Sequence, residues 1–247
     1  MNLVKLIKQD IRNLFTNPVV IIFGFVYPMV LIVLFGYLFS SFYGGREVTA
    51  YDYYGITMII FLVLSSCTIT PNAFMERKIK NSNLRVLFSP TNNWEIYGSK
   101  IISTFLFIGS LFTLDMIILS ITGMVNYGGD KFIYILILIL VLLFFTVTLG
   151  AFVCVLIKNE EGTNKILSLV CNILALTSGI FFPIDGLGER IKSIVALSPI
   201  KMIIESIFKI IYDGNFNGYL TTISIIISIT MILLIEINFL FNGEDYI

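Results

Sequence analysis

Long hydrophobic runs and short polar interruptions alternate along nearly the whole chain. Six runs, at 18–39, 53–74, 101–125, 132–157, 166–184 and 219–241, are near or above the roughly 20 apolar residues that carry a helix across a hydrocarbon core. In lipid, a spanning segment must satisfy its own backbone hydrogen bonds, so runs of this length and spacing read as helices. The fifth run is interrupted by Asn172, Thr177, Ser178 and Gly179. Asn126-Tyr127-Gly128-Gly129-Asp130 separates the third from the fourth and reads as a turn. The expected fold is therefore all-α: a polytopic membrane domain of six transmembrane helices in residues 18–247.

Residues 1–17 have a different pattern. Leu3, Ile7, Ile11, Leu14 and Phe15 fall on one side of a helix, and Lys5, Lys8, Gln9, Arg12 and Thr16 on the other. Such a segment is expected to lie in the membrane interface with its basic side toward anionic head groups. Pro18 disfavours helix at the residue before it and marks an elbow into the first span.

Two interruptions are too long to be turns. The first, at 75–100, contains ERKIKNSNLRVLFSPTNNWEIYGSK from Glu76 onward. Ile79, Leu84, Leu87 and Phe88 fit a short amphipathic helix that Pro90 ends, and Thr91-Asn92-Asn93 reads as a turn or cap before Trp94. Such a helix is too short to hold alone in water, so a partner or the membrane should support it. The plainer reading is a solvated basic connector. The second interruption, 185–218, is apolar enough for short helices at or near the interface.

Composition narrows the function classes. The chain is 57% hydrophobic and 13% charged, where soluble domains carry about 25% charge. Its net charge is zero, which argues against a nucleic-acid partner. It has no histidine, and Cys67, Cys154 and Cys171 all fall in apolar runs, so neither a disulfide framework nor a metal site is expected. No Gly-x-x-x-x-Gly-Lys-(Ser/Thr) phosphate loop occurs, and Gly128-Gly129-Asp130-Lys131 lacks its spacing. No internal repeat of the inverted-transporter kind is visible. With the N-terminus inside, inner segments hold ten Lys and Arg and outer ones six, which puts both termini in the cytoplasm.

Two acids lie within spans. Asp115 is either a residue of a substrate path or helix interface, or an acid hydrogen-bonded between helices; a charge there costs about 3 kcal/mol on insertion scales. Glu236 is placed to reach the inner interface.

The polar loop resembles the first cytoplasmic loop of ATP-binding-cassette (ABC) export permeases of the type-2 class, which move drugs, antibiotics and polysaccharides. The family pattern E-R-x-x-x-G-T-x-x-x-L-x-x-(S/T)-P-x-x-x-W-E-x-x-x-x-K is matched by Glu76, Arg77, Leu87, Ser89, Pro90, Trp94, Glu95 and Lys100. Asn81-Ser82 stands where the family has Gly-Thr. Ser178-Gly179-Ile180-Phe181-Phe182-Pro183 with Ser198-Pro199 is similar to the family's outer S-G-x-x-F-P segment, although Leu187-Gly188 replaces its usual Leu-Pro.

The resemblance implies a permease subunit in the plasma membrane, forming a homodimer or a heterodimer with a second permease. A separate ABC ATPase would bind ATP and Mg, and this chain would hold no cofactor and catalyse nothing. The loop would contain the coupling helix, with Glu76, Arg77, Leu84, Leu87, Phe88, Pro90, Trp94 and Glu95 as its candidate residues. The segment after Pro183 would form re-entrant half-helices near the outer leaflet, with Ser178, Gly179, Phe182 and Pro183 as the outer motif. The alternatives are a secondary transporter working through Asp115 and a membrane-embedded enzyme. No cluster of catalytic side chains favours the enzyme.

The charge asymmetry has a direct test. Single cysteines at 85 and 158, in a cysteine-free background, should react with an impermeant thiol reagent only from inside, and those at 46 and 192 only from outside. Labelling of position 85 from outside would invert the topology.

Overall fold

The computed structural model describes residues 3–43, 47–75, 92–181 and 198–241, and these are almost entirely helical, with no strand among them. Helix α1, Leu3–Thr16, is followed at once by α2, Pro18–Leu38. The Asn17 side chain accepts the Val19 N–H at 3.2 Å and Pro18 takes the first helical position, where its missing N–H costs nothing. Then come α3, Ala50–Met75; α4, Asn93–Ile121; α5, Phe132–Ile157; α6, Glu160–Thr177; α7, Pro199–Phe208; and α8, Tyr219–Leu240. Five of these, α2, α3, α4, α5 and α8, are long and apolar enough to cross a membrane.

The bounds expected from sequence shift where polar residues continue a helix. At 29 residues α4 measures about 44 Å, against roughly 30 Å of hydrocarbon. It starts at Asn93 instead of 101, so its first turns project beyond the apolar layer. The fifth run was expected to span 166–184. The helix there is α6, which starts six residues earlier behind the cap Asn159 and stops at Thr177, with Gly179 in the left-handed region at φ +78°. Its first six residues include Glu160, Glu161 and Lys165, and by length and apolarity it is not among the five crossing helices. Within the 185–218 segment, α7 continues into a π turn, Lys209–Asp213.

Helix α3 is the most buried and α5 the most connected, touching α3, α4, α6 and α8. Helices α2 and α8 leave Val19, Val30, Leu220 and Phe239 exposed, as lipid-facing surfaces would. Two prolines shape the interior. Pro28 follows a π turn at Ile22–Val26, where the Tyr27 N–H reaches back to the Ile22 carbonyl. Pro71 follows a 3-10 turn at Ser66–Thr68 in α3. Having no N–H, Pro71 cannot give the Cys67 carbonyl its usual helical bond. That carbonyl lies against α5 at Gly150, where an added Cβ would sit 2.0 Å from the Cys67 oxygen. Alongside, the Thr70 hydroxyl donates to the Val147 carbonyl at 3.1 Å, and the buried Cys67 and Cys171 thiols meet at 3.3 Å. The 3-10 turn in α3 thus packs against both α5 and α6.

The α1 helix forms where expected, but its protein-facing stripe differs. Lys5, Lys8, Gln9, Arg12 and Thr16 are exposed as their polarity demands, while Leu6, Asp10 and Leu14 are the buried residues and Phe15 is 67% exposed. The inward side is shifted toward Leu6 and Asp10, with Leu3, Ile7 and Ile11 half-buried beside it.

Backbone contact at Gly150 sets a mutational expectation. Gly150→Ala should destabilise the purified permease by at least about 2 kcal/mol, because the neighbour it meets is backbone and cannot turn away. Gly98→Ala, whose nearest neighbour would be Trp94 at 3.9 Å, should be neutral or up to about 1 kcal/mol stabilising. Thermal unfolding of the two variants in lipid nanodiscs checks the contrast, and equal effects would refute it.

Candidate functional site

The polar loop joins α3 to α4, and its two stems are well placed even though Glu76, Arg77, Leu84, Leu87, Phe88 and Pro90 lie outside the described residues. Asn92 caps α4, its N–H donating to the Glu95 carboxylate at 3.3 Å. Glu95 therefore holds a helix end, a role that the motif spacing alone did not reveal. Trp94 stands beside it, 48% exposed on the first turn of α4.

Six contacts bind this region to other helices. The Phe241 ring sits 6.2 Å from Phe74 on the outgoing stem and 5.5 Å from Tyr97 on the returning stem. The Tyr97 hydroxyl donates to the Asn238 side-chain oxygen at 3.1 Å, so the end of α8 is fastened to both stems. Asn164 of α6 donates its amide to Asn72 of α3 at 2.6 Å. Finally, Lys100 of α4 pairs with Asp10 of α1 at 2.5 Å, and the Ser99 hydroxyl donates to the other carboxylate oxygen at 2.9 Å. The two ionic side chains are only 6% and 7% exposed. Lys100 is the last residue of the loop motif, and the structure shows what it reaches.

Asp115 lies 20 positions beyond Glu95 on the same helix, about 30 Å along it. It is fully buried, and among the described residues neither carboxylate oxygen has a hydrogen-bond partner. Of the two readings open from sequence, an acid hydrogen-bonded between helices is not what the described residues display.

The outer motif forms a third, separate place. The Ser178 hydroxyl meets that of Ser198 at 2.8 Å. The Tyr53 hydroxyl donates to the Gly179 carbonyl, and Tyr54 donates to the Phe181 carbonyl at 3.1 Å. Adjacent tyrosines of α3 thus hold the chain where α6 ends, while Phe182 and Pro183 lie outside the described residues. Asp52 organises this face. Its carboxylate accepts the Thr49 hydroxyl at 2.7 Å, the Thr49 N–H at 3.2 Å and the Asn126 N–H at 2.6 Å, joining the start of α3 to the α4–α5 turn. Burial, reinforced by the Asp115 and Asp52 carboxylates, holds the Tyr127 hydroxyl well above its ordinary pKa. Sequence reading missed Asp10, Asp52, Asn72, Asn164 and Phe241. Only Asp10 carried a signal, as the single acid in an otherwise basic segment.

Several apolar helices of spanning length, joined through polar contacts at their ends, define a multi-pass helical membrane protein. The model of the ABC-2 type transporter family matches residues 1–212, from α1 through the turn after α7. The chain belongs to that family and is an ABC-type transporter permease, a membrane subunit. No curated protein matches it.

The buried ion pair gives a clean measurement. Lys100→Ala should cost about 3–5 kcal/mol by stranding the buried Asp10 charge. The double variant Asp10→Leu/Lys100→Met should recover most of that loss in thermal unfolding. A double variant no more stable than Lys100→Ala would show that the two side chains act independently.

Proposed function

We propose that this chain is the permease of an ATP-driven exporter, coupled through residues 75–100 to a separate ATPase that binds ATP and Mg. The observation carrying this reading is the fastening of both loop stems, by Phe241, Tyr97–Asn238 and Asp10–Lys100, to helices α8 and α1. A solvated connector needs no such anchoring. A loop that transmits displacement from a moving partner needs its base tied to the elements that must move with it. Glu76, Arg77, Leu84, Leu87, Phe88, Pro90 and Trp94 supply the docking chemistry, and Glu95 supports the helix from which Trp94 projects.

A second permease, identical or not, completes the assembly. Glu161, Lys165, Ser168 and Asn172 recur at helical spacing along one exposed side of α6. Lipid satisfies none of these groups, whereas a facing copy or a shared wet path does. Lys165 bonds Glu161 at 2.7 Å and holds that carboxyl below its usual range. The charge asymmetry puts both termini in the cytoplasm, the family resemblance points to export from the plasma membrane, and an amphiphilic drug, antibiotic or peptide suits a path with walls this apolar. A secondary transporter using Asp115 is favoured by one observation, the unpartnered buried carboxylate. Yet no second ionisable side chain bonds it among the described residues, so the coupled pair such a mechanism uses is not formed there.

Two results are expected. ATP turnover in proteoliposomes should require a separate nucleotide-binding subunit, and turnover by this chain alone would refute the reading. Leu87→Ala/Phe88→Ala/Trp94→Ala should leave membrane insertion intact while weakening ATPase co-purification by roughly thirtyfold, as loss of about 2 kcal/mol of interface anchoring requires. Normal assembly and transport in that variant would reduce the loop to a connector.

A further inference from the structure

The outer face carries a cavity of about 680 Å³ bounded by the ends of α2, α3 and α6 and by α7 with its π turn. Four aromatic rings line it in sequence. Tyr43 lies 5.6 Å from Tyr53, Tyr53 stacks on Phe208 at 5.7 Å, and Phe208 stacks on Tyr212 at 6.1 Å. The wall is pre-organised, since Tyr53 is fixed through its hydroxyl to Gly179 and the rings brace one another.

The rim charges are unevenly used. Glu205 lies 3.5 Å from Lys201 and 3.7 Å from Lys209, so the two ammonium groups share one carboxylate on their own helix. Glu47 and Asp213 also line the cavity, so among its described lining residues three carboxylates stand against two ammonium groups. An aromatic wall beneath carboxylates attracts a cation, through the ring faces and through charge, while the apolar volume accepts a hydrophobic body. We propose that this vestibule is a binding site for lipophilic cations. The assignment deepens the export reading by naming a ligand class for its outer end, and it rests on that reading only for the direction in which such a ligand travels.

The test uses two probes of the same shape and opposite charge. Tetraphenylphosphonium and tetraphenylborate are titrated onto the full-length permease in phosphatidylcholine nanodiscs without ATPase, with empty nanodiscs subtracted. The phosphonium should bind saturably and the borate should not. Glu47→Gln/Asp213→Asn changes two exposed side chains and should not disturb folding; it should weaken phosphonium binding about tenfold, in line with loss of about 1.4 kcal/mol. Tyr212→Leu should weaken it about fivefold, as loss of one cation–π contact implies. Equal binding of both probes, stronger binding of the borate, or no effect of the carboxylate variant would each overturn the proposal. Because no nucleotide or ATPase is present, a failure here leaves the export reading standing, and absence of ATP-driven transport would leave this binding intact.

Discussion

A backbone carbonyl inside hydrocarbon has no water to turn to, and the packing of this protein is organised around the place where that need is sharpest. Pro71 removes the donor that the Cys67 carbonyl would use, and α3 tightens into a 3-10 turn there. That turn is tolerable because protein from two neighbouring helices covers it. Gly150 lets α5 approach to backbone contact, and Cys171 brings α6 to the other flank. Three helices therefore meet at one depth. The segment of α3 beyond that junction, Ile69–Met75, leads into the polar loop.

The two ends of the bundle are held by different chemistry. At the loop end the contacts are polar side chains meeting between helices far apart in sequence: Asp10 with Lys100, Asn72 with Asn164, and Tyr97 with Asn238. Such pairs cost little where water is near and are hard to break singly once buried. At the outer end, tyrosine hydroxyls hold backbone carbonyls, and one carboxylate, Asp52, ties a helix start to a neighbouring turn. These bonds fix chain segments that have no helical partner of their own.

Much of this was legible in the chain itself. Hydrophobic runs of spanning length, the amphipathic start, the turn at Asn126–Asp130 and the loop motif all follow from local pattern, because in lipid each spanning segment must close its own hydrogen bonds. Residue-by-residue reading puts Asp115 within the third run, where α4 holds it. It reads Trp94 and Glu95 as loop, and they stand on the first turn of α4; it reads Ser178 and Gly179 inside the fifth span, and they lie just past the end of α6. It placed them in three regions, at the loop stem, within α4 and at the outer end of α6, and the structure keeps them apart.

What local pattern could not supply was every contact between distant positions. The fifth run looked like a span to 184, yet α6 stops at Thr177, where Ser178 and Gly179 are drawn into bonds with Ser198 and Tyr53. Asp10 drew no reading from the sequence and proves to be buried against Lys100. Glu95 looked like a docking residue and caps its own helix. Sequence determined which segments become helices, since that depends on neighbours within one or two turns. Tertiary structure alone decided which polar groups find partners, since hydrogen bonds and ion pairs act over about 3 Å and depend on which helices packing brings together.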